Sequence, residues 1–454
     1  MFVHETFGFK SLDELRAKIN ELGVDIVVTD DISPLVNKVR VGGKIAPNSI
    51  AVLPMEGCDC APDGGPTELM ERRYLRFASG GAGLLWWEAC AIVHEGRANP
   101  LQMMLTKDNV GQYAALLEKS NRAAANSNGS DFRPVNILQL THSGRYSRPN
   151  SHKFEPIITQ FDPELDPRVG VNENSAIVTD AYLESMVEQF VLCSKLAKEA
   201  GFDGVDIKAC HRYLLSELMA SFNRSGKYGG SFENRSRLLR EVVSEVKKAH
   251  KDDFIVACRF NVFDAHPYPY GFGSDKDDFM SYDTTEPLAL VRMLKENGVA
   301  LLSSSAGNPY YIYPHVLRPF DIPNIGTPVP QEHPLESAAR LFALTKEMQK
   351  VAGDVPVVGS GYTWLRQFIP NVGAANLATG NCGFVGLGRS SFAYPDAPSD
   401  MLTGKMNAKK CCIACSKCTQ IMRDHGRTGC VIQDSAIYAP LFKEARDDAI
   451  SRGK

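Results

Sequence analysis

The chain has 454 residues, a formal net charge of −3, and 44% apolar against 23% charged side chains, proportions that build full hydrophobic cores and argue against a disordered chain. No basic block marks a nucleic-acid partner, and no apolar run approaches the ~20 residues of a membrane-spanning helix. The opening stretch MFVHETFGFKSLDELRAKIN lacks the marks of a secretory leader, so the expected setting is cytoplasmic, where thiols stay reduced.

In chain order, residues 1–47 read as an N-terminal arm with one amphipathic helix near 11–22. From 48 to 403, short apolar runs recur: IAVLPM (50–55), GLLWWEACAI (83–92), VNILQLTH (135–142), GVDIKAC (204–210), FIVACRF (254–260), ALLSSSAG (300–307), PVVGSG (356–361) and GFVGLGR (383–389). Stretches of helical periodicity separate them, at 66–80, 109–127, 179–201, 233–250, 285–298, 334–353 and 363–381. In the third of these, Thr179 or Asp180 is the expected N-cap and Gly201 the stop. Strands without polar alternation, each followed by a helix, imply a parallel sheet covered on its outer face. Eight such units predict an α/β fold, a (β/α)8 barrel. Two open doubly wound domains are the competing architecture, and they should carry a strand–G-x-G-x-x-G–helix unit. The nearest segments, GSGYTW (359–364) and GLGRSS (386–391), lack the third glycine. Long segments at 143–178, 261–285 and 307–334 follow strands three, five and six, on the face where barrel enzymes keep their active sites.

Residues 404–454 read as an appended module. Five of the twelve cysteines fall in KKCCIACSKCTQIMRDHGRTGCVIQD (409–434). Cys412, Cys415, Cys418 and Cys430 form C-x2-C-x2-C-x11-C, which lacks the paired knuckles of a zinc ribbon. Three close thiolates with a distant fourth suit the corners of an iron–sulfur cube, with structural zinc the weaker alternative. Cys411, adjacent to the first ligand of the regular spacing, leaves that ligand ambiguous by one residue. Lys409 and Lys410 would offset the cluster's negative charge. The other seven, Cys58, Cys60, Cys90, Cys193, Cys210, Cys258 and Cys382, are expected mostly as buried small hydrophobes.

The segment DGVDIKACHRYLLSELMASFNRSGKYGGSFENRSRLLREVV (203–243) resembles the hallmark stretch of the Old Yellow Enzyme superfamily, and LQLTHSGRYSRP (138–149), RFNVFDA (259–265), TPVPQEHP (327–334) and GLGRSSFAYPD (386–396) match family positions in order. The resemblance covers roughly residues 38 to 435. The cysteine module makes it closest to the iron–sulfur branch, with 2,4-dienoyl-CoA reductase, 2-enoate reductases and trimethylamine dehydrogenase.

The resemblance implies a barrel that binds FMN, with Gly361, Gly388 and Arg389 at the phosphate. Gln139 would meet the pyrimidine edge and Arg259 the N1 and O2 region, while backbone around Pro54, Met55, Glu56 and Ala89 would line the ring. It implies ene-reduction: hydride passes from flavin N5 to the β-carbon of an α,β-unsaturated carbonyl compound, Lys208 and His211 bind the carbonyl oxygen, and Tyr213 protonates the α-carbon. His315 is the candidate for a second acid–base histidine, and His142 either lines the barrel mouth or is purely structural. Cys58 and Cys60 fall near the site of covalent flavin attachment in trimethylamine dehydrogenase, without matching it. Lys208 replaces the family's usual His or Tyr and Arg212 a common Gly, both adding positive charge and favouring a carboxylate or CoA thioester substrate. The resemblance implies that relatives in this branch continue into domains that load electrons, and the sequence as read is not expected to hold them. Electrons are therefore expected from NADH or NADPH directly, or from a separate redox partner protein or subunit; homo-oligomerisation is compatible with the sequence. Two alternatives remain: an amine dehydrogenase or demethylase, which the added positive charge disfavours, and a non-catalytic electron-transfer subunit.

Overall fold

The computed structural model describes residues 4–250, 253–311 and 313–453. Eight parallel strands close into a barrel in sequential order: β1 (Ile50–Val52), β2 (Leu84–Ala91), β3 (Val135–Thr141), β4 (Gly204–Ile207), β5 (Ile255–Phe263), β6 (Leu301–Ala306), β7 (Val357–Gly359) and β8 (Phe384–Leu387). All eight fall on the apolar runs of the sequence, and the closed sheet excludes the doubly wound alternative. The runs show no polar alternation because both faces are buried. Ala51, Leu84, Trp86, Val135, Ile137, Ile255, Ala257, Leu301, Val358 and Phe384 fill the barrel interior as one apolar cluster, while Val52, Leu85, Leu138, Val205, Val256, Leu302 and Val385 pack outward under the helices. A hairpin (Val39–Val41 with Lys44–Ala46) closes the lower end, its Val41 and Ala46 joining the interior cluster.

Side chains alternate along a strand with period two, so the interior series extends upward from these apolar residues. From Ile137 it reaches Gln139, from Ala257 Arg259, from Phe384 Gly386 and Gly388, and from Leu53 Met55. On β4 the same series runs Gly204, Asp206, Lys208. The filled lower layers thus hand over to a polar upper layer at the C-terminal end of the strands. On β2 a register shift between Trp87 and Ala89 turns Glu88 out of the series and sets Ala89 opposite Gln139.

The helices follow the predicted periodicity. The helix Asp180–Glu199 is capped by the Thr179 hydroxyl, which accepts from the Tyr182 N–H at 3.2 Å, and the chain leaves it through Gly201 at φ 94°. The one clear departure lies in the segment expected to be a single helix over 363–381. It begins instead as a 3-10 turn (Tyr362–Phe368) with Arg366 at φ 49°, ahead of the helix Ile369–Ala378. The turn lets the Trp364 indole N–H and the Arg366 guanidinium reach the same carboxylate, Asp321, at 2.6 and 2.7 Å. No helix among the described residues is long and apolar enough to cross a membrane.

The segment after the barrel folds back over the upper end. Asp434 binds Arg72 and Arg76 of the helix Glu68–Ser79 at 2.7 and 2.6 Å, and the Thr428 N–H donates to the Gly57 carbonyl at 2.7 Å.

Candidate active site

The polar upper layer opens into a cavity. Pro54, Met55, Glu56, Gln139, Lys208, His211, Tyr213, Arg259, Gly361, Gly388 and Arg389 all line it, so the structure brings eleven of the thirteen candidates from the barrel sequence together. Ala89 is not among the lining residues: its side chain is buried and its carbonyl accepts from the Gln102 amide at 3.2 Å. His315 is turned elsewhere. It lines a separate cavity with Tyr313, Pro328 and Glu332, 4.0 Å from the Glu332 carboxylate.

Asp206, one step below Lys208, organises the floor. Its carboxylate accepts from the Trp86 indole N–H at 3.0 Å, the Gln139 amide N–H at 2.6 Å and the Arg259 backbone N–H at 2.7 Å. Burial raises its pKa to about 6. With its NH2 group committed to Asp206, Gln139 has its carbonyl oxygen left to accept a hydrogen bond. A planar ring with an N–H edge fits this arrangement.

At the opposite end lies a pair of buried guanidinium groups. Arg389 donates to the Pro319 carbonyl at 2.7 Å but leaves Nη1 without a partner, and Arg318 leaves both Nε and Nη2 without one. Burial, with Arg389 and Arg423 beside it, pushes the Arg318 pKa down. Two adjacent buried cations with unused N–H groups match a dianionic phosphate. Gly388 leaves space there, since a Cβ would meet nothing nearer than Met55 Sδ at 3.7 Å, and Gly361 supplies the left-handed turn (φ 96°) that a side chain would resist. The residues present therefore fit FMN. Arg318 carried no signal in the sequence, because it lies on the irregular loop after β6. Replacing it with Met should weaken FMN binding to the apoprotein by roughly 10- to 150-fold, the worth of one hydrogen-bonded charge. The same change should raise the apoprotein's melting temperature by removing a buried unpaired cation, and fluorescence titration with thermal melts checks both.

The catalytic candidates stand on the wall between β4 and the loop after β6. The His211 ring meets the Ser305 hydroxyl at 3.2 Å, and burial with Arg259, Lys208 and Arg318 nearby holds it well below the ordinary histidine range, hence neutral. The Lys208 ammonium lies 4.1 Å from the centroid of the Tyr213 ring and 3.5 Å from the Glu56 carboxylate. The Tyr213 and Tyr310 hydroxyls are hydrogen-bonded at 2.9 Å, and Tyr310 stacks on Tyr146 at 4.1 Å. Tyr310 was visible in the sequence only as part of a Tyr-rich loop; its pairing with Tyr213 comes from the tertiary fold.

One sequence expectation needs correction, and for His142 the structural alternative is favoured. Arg212 adds no charge to the cavity: it is buried between Asp162 and Asp264, at 3.1 and 3.3 Å, and its φ of 60° explains why a glycine suits this position. His142 is structural, since its ring meets the Tyr182 hydroxyl at 2.8 Å and takes the Gly144 N–H at 3.0 Å. All seven scattered cysteines are buried.

Cys412, Cys415, Cys418 and Cys430 line a second cavity. Ala414 and Ser416 adopt φ of 50° and 56°, left-handed conformations that bend the short loop carrying three of these cysteines. The loop 321–325 clamps it, with Asp321 N–H on the Ala414 carbonyl at 3.1 Å and the Asn324 amide on the Ser416 carbonyl at 3.1 Å. Cys411 faces away, buried against Tyr394 and Ala397 with its thiol on the Asn407 carbonyl, so Cys412 is the one of the pair that lines the cavity. A single zinc ion would hold thiolates roughly 3.8 Å apart. Among the described residues only Asp59, Cys60 and Glu88 bring three donor atoms within 4.8 Å of one another, and Arg73 already bridges both of those carboxylates at 2.5 Å. No three of the four cavity cysteines meet that spacing, and four soft donors set more widely than one zinc ion requires fit a cluster. Arg389 lines both cavities, and Thr419, next to Cys418, lines the first.

A family model described as the NADH:flavin oxidoreductase / NADH oxidase family matches residues 35–280. The NADH oxidase of Thermoanaerobacter brockii is 27% identical over 388 residues, 84% of this chain and 52% of that protein. The cinnamate reductase of Clostridium sporogenes is 25% identical over 426 residues, 89% and 58% of the two chains. This chain therefore spans little more than half the length of these relatives. Among solved structures, a 2-naphthoyl-CoA reductase in complex with 2-naphthoyl-CoA superimposes with a TM-score of 0.70 at 19% identity, over 91% of this chain and 58% of that one. Histamine dehydrogenase from Rhizobium sp. 4-9 does so with a TM-score of 0.67 at 21% identity, over 91% and 53%. At these identities the two structures speak for a shared fold. The findings agree with the resemblance to the Old Yellow Enzyme superfamily and its iron–sulfur branch. With a match over more than half its length, the chain belongs to the NADH:flavin oxidoreductase / NADH oxidase family.

Proposed function

We propose that this chain holds FMN in the larger cavity and a [4Fe–4S] cluster among Cys412, Cys415, Cys418 and Cys430, and reduces the activated double bond of an α,β-unsaturated carbonyl compound. The observation that carries this reading is the convergence of Tyr213, Lys208 and His211 on one cavity with Gln139, Arg259 and Arg389. When bound, FMN supplies hydride to the alkene β-carbon and the cluster supplies single electrons. Arg259 and the Gln139 carbonyl orient the ring, while Arg318 and Arg389 hold the phosphate. His211, fixed by Ser305, and Lys208 stabilise the charge that develops on the substrate's carbonyl oxygen. Tyr213 gives its proton to the α-carbon, and Tyr310, at 2.9 Å, is placed to restore it. Arg389, common to both cavities, gives electrons a short route between them.

The amine reading also has an observation in its favour. Tyr146, Tyr213 and Tyr310 form an aromatic wall near Glu56, an arrangement that attracts cations. The Lys208 ammonium already occupies the Tyr213 face, which favours the ene-reductase. Anaerobic mixing of the loaded protein with enoates, enoyl-CoAs, cyclic enones and tertiary amines tests the choice. Reoxidation of pre-reduced flavin by an alkene supports the proposal, and reduction of oxidised flavin by an amine replaces it. Fast bleaching by NADH or NADPH in the same apparatus would remove the need for a separate electron-donating partner.

The pH dependence is a further test. Burial, with Glu56 and Tyr310 adding to it, holds the Tyr213 pKa well above the ordinary tyrosine range, so the phenol keeps its proton until pH exceeds about 10. His211, held below its ordinary range, stays neutral from about pH 6.5 upward. The single-turnover rate with an enone should therefore be flat between about pH 6.5 and 10. A bell centred near pH 7 would contradict the assignment.

A further inference from the structure

Asp206 is fully buried, and three donors from three strands converge on its carboxylate. Oδ2 accepts from the Trp86 indole of β2 and the Gln139 amide of β3, and Oδ1 from the Arg259 backbone N–H of β5. An indole and a backbone N–H can only donate. The cage therefore demands an acceptor at both oxygens, which an ionised carboxylate provides and a carboxamide does not. Leu84, Ile137 and Ala257 pack the layers beneath, where little screens the charge. Burial raises the Asp206 pKa to about 6, while the donors and the Arg259 cation act against that rise, so the group is charged at about pH 8. Arg259 lines the first cavity and is itself buried, with its Nε unpartnered. A buried anion and a buried cation thus share the floor of the site, and the cation faces the cavity. Burying a carboxylate costs stability, which points to a role for the charge itself.

We propose that Asp206 is a positioning residue for the flavin reaction: it holds the Gln139 amide with its carbonyl oxygen towards the cavity, and its charge offsets that of Arg259 and keeps the flavin's reduction potential low. The proposal rests on FMN occupying the first cavity. Reduction by a hydride donor adds two electrons and one proton to the ring and leaves one negative charge at its pyrimidine edge. Arg259 stabilises that charge, and Asp206 opposes it. Without its counterweight Arg259 would hold the electrons more tightly. A lower potential makes the reduced flavin a stronger hydride donor, which is the direction that alkene reduction requires.

Anaerobic dithionite titration of the FMN- and cluster-loaded protein at about pH 8, against a reference dye, measures the flavin potential and tests the proposal. Asp206→Asn should shift the equilibrium towards reduced flavin by about tenfold or more, equivalent to about 30 mV for a two-electron couple. The same variant should bind FMN about tenfold more weakly, since the Gln139 amide loses its fixed direction. A carboxamide in the three-donor cage sets its NH2 against another donor, so a second variant guards against misfolding. In Trp86→Phe/Asp206→Asn the indole donor is gone, and the new amide can donate to a reversed Gln139 carbonyl while still accepting from the Arg259 N–H. This double variant should show the same rise in potential. Trp86→Phe alone, which keeps the carboxylate, should stay within about twofold of the wild-type equilibrium. A potential unmoved in both Asp206 variants, or raised equally by Trp86→Phe alone, overturns the proposal. Wild-type protein that takes up no FMN overturns the FMN reading and the proposal with it, an outcome distinct from bound flavin whose potential does not move.

Discussion

Replacing Tyr213 with Phe should lower single-turnover reduction of an enone by about 10²- to 10⁴-fold, the usual worth of a positioned general acid. Flavin content and the rate of its reduction by the electron donor should remain unchanged. The expectation follows from the surroundings of the hydroxyl. Tyr213 is only 3% exposed, so water has little access to replace the missing proton donor. Among the described residues its hydroxyl partner is the Tyr310 hydroxyl at 2.9 Å. The ring remains packed under Lys208 and beside Tyr310, so the substitution removes one oxygen and little packing. Stopped-flow traces at the flavin absorbance, with donor and enone added in separate mixes, resolve the two half-reactions. Enone turnover at the full rate would remove Tyr213 from the proton path and favour the electron-carrier alternative.

Cys412→Ser should abolish the cluster, taking iron from about four per chain to trace levels, whereas Cys411→Ser should leave iron and the visible spectrum intact. The contrast depends on which way two adjacent side chains point. Successive residues in extended backbone face opposite sides, and Cys411 lies at φ −61°, ψ 150°. Cys411 is thereby committed to the apolar contact with Tyr394, and Cys412 to the cavity it shares with Cys415, Cys418 and Cys430. Iron and acid-labile sulfide assays on anaerobically purified variants check this. Loss of iron in Cys411→Ser with retention in Cys412→Ser would reverse the ligand assignment. Flavin should survive in Cys412→Ser, because the phosphate end depends on Arg318 and Arg389 rather than on the thiolates.

The sequence by itself determined the barrel, because the information is local. Each apolar run is long enough for one buried strand and the helical periods lie between them, while Gln139, Arg259 and Gly388 were named through the family resemblance, whose motifs are equally local. The cysteine spacing was equally local, and three of the four cysteines lie within seven residues. Only the tertiary structure could decide contacts between residues far apart in the chain. Arg212 and Lys208 look alike as cations on one short segment, yet Asp162 and Asp264, 50 and 52 positions away, withdraw the first from the cavity. Tyr310 and Arg318 sit on an irregular loop with no period to read. They gain their roles from Tyr213, 97 residues distant, and from Arg389 across the barrel mouth. His315, on the same loop, faces Glu332 instead. Periodicity fixes which face a side chain presents, but what it meets there depends on how separate strands and loops close around the barrel, and that is set by packing over the whole chain.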